Sequence, residues 1–147
     1  MLRYSFLLLT LFLFVASCNR IQSGDSLSSK DFQRFRSLHL IENGERLYKF
    51  YSEFKKSVAG NFYTDRRMAS YWIDEKDSTK NSTEFAYYED IIRIDTCYNA
   101  GLTYAPFMLV TRKDSTQFKV CVDGSKQEIA GFFNDAIGKW QSKINHE

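Results

Sequence analysis

The sequence predicts an α+β fold, with one domain over residues 31–147, because the spacing of its apolar residues changes along the chain. Between residues 67 and 123, four segments alternate apolar and polar side chains and are rich in β-branched and aromatic residues, as strands are. The C-terminal segment instead repeats its apolar residues every three or four positions, which is typical of an amphipathic helix. An aromatic content of 16% and a single proline favour a packed core over disorder.

Two helical stretches are expected before the strands. Residues 31–42 carry Phe32, Phe35 and Leu38 at a spacing of three. Residues 43–60 offer Asn43 as a cap and Gly60 as a left-handed stop. The apolar stripe of this second helix would consist of Leu47, Tyr51, Phe54 and Val58. Asn43-Gly44 also suits the tight turn of a hairpin, but the stripe favours a helix.

Four strands are predicted to follow, over residues 67–74, 83–96, 104–112 and 116–123. Their connections are short, so we expect them to pair in sequence as a four-stranded antiparallel meander. Alternation along the second strand assigns Tyr88, Ile92 and Ile94 to the core face. In the fourth strand the core-facing residues would be Phe118, Val120 and Val122.

The C-terminal helix has the clearest signals. Ser125 and Glu128 form a capping box at its start. Its apolar face would contain Ile129, Phe133, Ala136, Trp140 and Ile144. We expect this helix and the N-terminal helices to pack on the same face of the sheet, with Trp140 as the largest buried side chain of the C-terminal helix.

The first residues have the features of an export signal. Arg3 precedes an apolar run from Phe6 to Ala16, which is too short for the ~20 residues of a membrane-spanning helix. The run ends in Val15-Ala16-Ser17-Cys18, which resembles the lipobox of bacterial lipoproteins. This resemblance implies that residues 1–17 are a signal peptide and that Cys18 becomes acylated, which would anchor the protein to the membrane through its lipid.

The resemblance also suggests a location for the anchored domain. Asn19 follows the cysteine, whereas an aspartate at that position commonly retains similar lipoproteins at the inner membrane. We therefore expect an outer-membrane anchor, with the domain in the periplasm or at the cell surface. Residues 18–30 are polar and serine-rich and are predicted to be the acylated cysteine and a flexible tether.

Cys97 and Cys121 remain besides the predicted anchor. Their compartment permits disulfides, and the even count favours a bridge. In a simple meander, however, the third strand would separate them by roughly 9–10 Å, beyond the ~7 Å Cα separation that a disulfide tolerates. A bridge and two free thiols therefore both remain open, and the oxidising compartment favours the bridge.

Several kinds of chemistry lack a signal in the sequence. There is no phosphate-binding glycine loop and no metal-ligand spacing, so neither a cofactor nor a metal is expected. The formal net charge of +2 does not indicate nucleic-acid binding, for which clustered Lys and Arg would be needed. Neither His39 nor His146 is placed convincingly for nucleophilic catalysis, and we expect no catalytic residues. Glu89, Asp90 and Asp95 on one predicted strand leave a small envelope hydrolase as the alternative function.

The outward faces of the second and fourth strands provide the candidate binding face. Its residues are Tyr87, Glu89, Arg93, Asp95 and Lys119. Tyr and Arg are enriched at the hot spots of protein interfaces, and the charges of this face are of both signs. The sequence therefore predicts a small binding module, acting as an accessory subunit or an immunity-like or inhibitor-like protein on an envelope protein partner.

Overall fold

The structure is a computed structural model that describes residues 21–145. The predicted signal peptide and Cys18 lie outside these residues, as does His146. The strands are β1 (Gln22–Ser23), β2 (Leu47–Tyr51), β3 (Ala59–Thr64), β4 (Arg67–Trp72), β5 (Ser82–Tyr87), β6 (Ile91–Cys97), β7 (Phe107–Arg112) and β8 (Gln117–Cys121). The α-helices are α1 (Ser29–Ser37) and α2 (Lys126–Ile144), and short 3₁₀ helices span Gly24–Ser26, Ser78–Lys80 and Tyr88–Asp90.

The predicted α+β class is confirmed, but the described strands form two antiparallel sheets and not one four-stranded meander. β1 to β5 form the first sheet and β6 to β8 form the second, each in sequence order. Arg112 joins them, because its guanidinium donates hydrogen bonds to the Phe85 carbonyl oxygen and the Glu84 carboxylate at 2.6–3.1 Å. These contacts cover part of the exposed edge of β5, which would otherwise be open to pairing with another chain.

The two α-helices pack on opposite faces of the five-stranded sheet, whereas the sequence predicted a shared face. Phe35 of α1 stacks on Phe50 and Phe62, with the ring centroids 5.4 and 5.1 Å away. Phe132 of α2 contacts the next residue of β3, Tyr63, at 5.0 Å. Successive side chains of a strand point to opposite faces, so the sheet is covered on both sides.

The beginning of the described chain is ordered and packed, although residues 21–30 were predicted to belong to a flexible tether. Gln22 and Ser23 pair with Phe50 and Lys49 of β2. Leu27 is buried, and a capping box of Ser28 and Asp31 starts α1. The helix within predicted residues 31–42 is therefore present but begins earlier, and it ends before His39, whose backbone is left-handed (φ 58°).

The helix predicted over residues 43–60 is wrong, because this segment forms a turn and β2 and then enters β3. Gly44 takes a left-handed conformation (φ 78°) in the turn that leads into β2. Gly60 is not a helix stop but a strand residue beneath two rings. A Cβ there would lie 2.5 Å from Tyr71 and 2.6 Å from Phe50, so the close packing of the sheet requires glycine at this position.

The strand predicted over residues 83–96 is divided by the 3₁₀ helix Tyr88–Asp90, which passes the chain from one sheet to the other. The division changes the predicted faces. Tyr88 is buried as expected, but Ile91 is buried and Ile92 is exposed, the reverse of the prediction. The register shifts between Ile91 and Arg93, and from Arg93 to Cys97 the pairing with β7 is regular. Phe118 and Val120 of β8, and Val122 directly after it, are buried as predicted.

The C-terminal helix and its Ser125–Glu128 capping box are confirmed. Its largest fully buried residues are Phe132, which the predicted face omitted, and Phe133. Trp140 is only partly buried, and Ile144 is exposed. The hydroxyl of Tyr63 donates a hydrogen bond to the Asp135 carboxylate and so ties α2 to the sheet. Burial, together with this carboxylate, raises the pKa of Tyr63.

Candidate functional site

The outer face of the three-stranded sheet carries three of the five predicted binding residues. Strand register sets Asp95 opposite Leu109 and Leu109 opposite Lys119, so these residues form one row across the sheet. Arg93 lies in the neighbouring row with Thr111. Side chains two residues apart on a strand share a face, so Arg93 and Asp95 project from the same side.

The charges on this face are held in defined positions but remain accessible to solvent. The Arg93 Nε donates to Asp95 Oδ2 at 2.7 Å, and the two side chains are 66% and 49% exposed. Lys119 Nζ lies 4.3 Å from the centre of the Phe107 ring, a cation–π contact. An exposed ion pair of this kind contributes only about 0–1 kcal/mol to stability. The domain therefore gains little from the pair, whose charges are free to meet a partner.

Apolar groups lie between the charges. Phe107 and Leu109 are half-buried on the central strand, and Arg93, Asp95 and Lys119 on the flanking strands are exposed. The five-stranded sheet, in contrast, has α1 on one side and α2 on the other. An open sheet face with an aromatic and aliphatic centre and a charged rim has the anatomy of a protein interface.

Tyr87 and Glu89 lie elsewhere, so the structure does not bring the five predicted residues into one face. Tyr87 ends β5, where its ring lies 4.3 Å from the Arg67 guanidinium and its hydroxyl donates to Glu42. That carboxylate raises the pKa of Tyr87. Glu89 is in the 3₁₀ helix that breaks the predicted strand, and this break is the physical reason for the separation.

Glu89 instead lines a cavity of about 290 Å³ at the end of the molecule where α2 terminates. The lining residues are Asp65, Arg66, Tyr87, Tyr88, Glu89, Lys143 and Ile144. Arg66 is already paired with Glu42 at 3.2 Å. Both acidic and basic side chains line the cavity, and Arg66 and Tyr87 connect it to the buried Arg67.

The sequence analysis missed a buried ion cluster centred on Arg67. Its guanidinium, 1% exposed, donates to both oxygens of the buried Glu45 carboxylate at 2.9 Å. Glu42 accepts a further contact at 2.9 Å. Burial lowers the pKa of Arg67, but the two carboxylates outweigh it and the net shift is upward. The only local sign of this cluster in the sequence is the arginine that begins the strand pattern "RMASYW". Its partner Glu45 is 22 residues away in the chain, so no local pattern connects the two.

The carboxylates proposed for hydrolysis are divided between two surroundings. Glu89 and Asp90 are exposed in the 3₁₀ helix, and Asp95 is paired with Arg93 on the outer sheet face. A general acid needs burial or a nearby like charge to keep its proton near neutral pH. Among residues 21–145, no group of three or more His, Cys, Asp and Glu is arranged to hold a metal ion.

The two cysteines are free in the structure. Both pair with Phe107, Cys97 from β6 and Cys121 from β8, so a whole strand separates them. Two strand spacings amount to about 9–10 Å, more than a disulfide can span. Burial raises the pKa of the Cys121 thiol, which disfavours the reactive thiolate.

Comparison with family models, with curated proteins and with solved structures finds no match for this chain. No helix among the described residues is long and apolar enough to span a bilayer.

Proposed function

We propose that this protein is a binding module of the bacterial envelope, lipid-anchored at the outer membrane, that recognises a protein partner through the outer face of its three-stranded sheet. The observation that carries the proposal is this open face, on which the Arg93–Asp95 pair and Lys119 surround Phe107 and Leu109. The resemblance of Val15–Cys18 to a lipobox supports the anchor.

The composition of the face favours a protein partner. A half-buried aromatic and aliphatic centre gains from further burial, at ~25 cal/mol per Å² of apolar surface removed from water. Arg93 is a side chain of the type enriched at hot spots, and a partner that covers its pair with Asp95 would strengthen the attraction by excluding water. Asp95 and Lys119 at the two ends of one row, with Arg93 in the neighbouring row, would fix the register of docking.

An affinity pull-down from the envelope fraction tests this function. The full acylated protein serves as bait. Quantitative mass spectrometry compares the proteins that it captures with those captured by the Arg93→Glu variant. Arg36→Glu is the matched control, since Arg36 is exposed on α1, on the other side of the five-stranded sheet. We expect one stoichiometric partner that is retained by the control and lost from the Arg93 variant. Consumption of an envelope glycan without any partner would instead support the hydrolase alternative.

A further inference from the structure

Exposed apolar side chains cluster in the loop that joins β6 to β7. Leu102 is wholly exposed, Tyr104 is 73% exposed and Tyr98 is 45% exposed. Single exposed apolar residues are ordinary, but several in one loop indicate a contact surface. Residues 98–106 also contain no Asp, Glu, Lys or Arg, so no formal charge would oppose their transfer into a less polar medium.

This loop lies at the same end of the molecule as the start of the described chain. Gln22 pairs with Phe50, so antiparallel pairing places Ile21 beside Tyr51. Tyr51 and Val122 belong to one buried apolar cluster, and Ile21 packs against that cluster. Val122 donates its N–H to the Pro106 carbonyl at 3.0 Å. Asp123 and Gly124 also line a cavity of about 620 Å³ together with residues 98–106.

The distance from the anchor follows from the sequence, and here the inference rests on the proposed acylation of Cys18. Only Asn19 and Arg20 separate Cys18 from Ile21. At ~3.3–3.6 Å per residue, the two Cα atoms can be at most about 11 Å apart. Ile21 packs against the buried cluster that contains Tyr51 and Val122, so the chain cannot gain further reach unless Ile21 leaves this contact. The headgroup layers add roughly 10–15 Å in total to a hydrocarbon core of about 30 Å, so this end of the domain must lie at the bilayer surface.

We propose that the loop of residues 98–106 docks into the lipid bilayer and forms a second, non-covalent membrane contact beside the acylated cysteine. Leu102 would enter the acyl boundary, while Tyr98 and Tyr104 suit the headgroup level, where amphipathic aromatic rings are enriched. Two attachment points fix orientation as well as position. β6 leads away from the loop, and at ~3.3 Å per residue Arg93 lies about 13 Å farther along the strand from the loop than Cys97.

Two other exposed aromatic residues lie at this end of the five-stranded sheet. Phe54 follows the end of β2, and Trp72 pairs with Ala59 at the start of β3. Lys55 sits 5.4 Å from the Phe54 ring and 4.0 Å from the Glu75 carboxylate, which balances its charge in part. These residues extend the apolar surface of this end beyond the loop itself.

Hydroxyl-radical footprinting of the full acylated protein tests the proposal. The acylated protein in detergent-free vesicles of phosphatidylethanolamine and phosphatidylglycerol is compared with the unacylated mature chain, residues 18–147, free in buffer. We expect modification of Tyr104 and Leu102 to fall about threefold or more in vesicles, as burial in the interface excludes water. Ile92, which is 56% exposed at the far end of β6, is the internal reference and should not change.

A variant pair separates docking from mere proximity. Leu102→Asp should restore Tyr104 modification in vesicles to the level of the unacylated chain in buffer, and Ile92→Asp should leave the protection intact. Both positions are exposed, so the fold should tolerate the changes. The intact mass of each sample reports acylation independently. An acylated protein whose Tyr104 reacts in vesicles as fast as in the unacylated chain would overturn the docking proposal and leave the lipoprotein standing, whereas a mature chain that cells leave unacylated would overturn the anchor on which it rests.

Discussion

Replacing Glu45 with alanine would leave a charged guanidinium unpaired in the protein interior. Arg67 is 1% exposed and the Glu45 side chain is 0% exposed, so neither group reaches bulk water. The Glu45 carboxylate accepts two hydrogen bonds from Arg67, one from the Thr64 hydroxyl and one from the Glu42 N–H, at 2.5–2.9 Å. The substitution therefore breaks a buried pair and removes the acceptor of four donors at once.

The size of the effect follows from this geometry. Removing one partner of a buried ion pair costs about 3–5 kcal/mol, because the remaining charge keeps its desolvation penalty. The contact of Arg67 with Glu42 survives, but Glu42 is 52% exposed and its attraction is weakened by solvent. We expect Glu45→Ala to lower the free energy of unfolding by about 3 kcal/mol or more.

Urea unfolding at pH 7, followed by tryptophan fluorescence, measures this change. Glu75→Ala is the control, since Glu75 is 60% exposed and 4.0 Å from Lys55, and it should have little effect. The double variant Glu45→Leu, Arg67→Met should be more stable than Glu45→Ala, because it removes the unpaired charge. A loss below about 1 kcal/mol for Glu45→Ala would refute the reasoning, as would a double variant less stable than the single one.

Three further predictions concern the anchor, the thiols and the pH dependence. Cys18→Ser should block acylation and leave uncleaved precursor in the membrane fraction, so a variant that is still cut at the same site and released would contradict the lipoprotein proposal. Mass spectrometry of the unreduced mature protein should find Cys97 and Cys121 both open to alkylation under denaturing conditions, and a product two hydrogens lighter that resists alkylation would show a bridge. Hydrogen bonds from Tyr87 and Arg67 hold the pKa of Glu42 below its ordinary 4.5. Its contribution to stability is therefore full above about pH 4.5 and is lost as the pH falls through the lower folded-state pKa. Glu42→Gln should flatten this acid limb of the unfolding curve, and an unchanged limb would show that Glu42 does not cause it.

The success of the sequence analysis depended on how local each signal was. The capping box of Ser125 and Glu128 acts within one turn, and it located α2 correctly. The error over residues 43–60 arose because β2 and β3 belong to a sheet covered on both faces. Leu47, Phe50 and Tyr51 are all buried, so no alternation marks the strand, and the remaining apolar spacing matched a helix.

The same reasoning explains what was found of the candidate site. Arg93, Asp95 and Lys119 lie on a half-exposed sheet, where the period of two is preserved, and they were placed on the right face. Tyr87 and Glu89 were not, because no glycine or proline marks the break at Tyr88–Asp90. The partner of Arg67 could not be found from local pattern, since it is brought in by tertiary folding.

One measurement tests the central claim most directly. It is the affinity of the Arg93→Glu variant for the partner recovered by pull-down, taken on the same sample as the melting temperature of the variant. The substitution places a second carboxylate beside Asp95 where a cation was paired with it, so binding should weaken more than tenfold, which is about 1.4 kcal/mol. An exposed strand position should lose only about 0.5–1 kcal/mol of stability, so the fold should survive. Affinity reduced more than tenfold with melting nearly unchanged is the predicted result. Unchanged affinity with unchanged melting would contradict the account and leave this face as solvated surface.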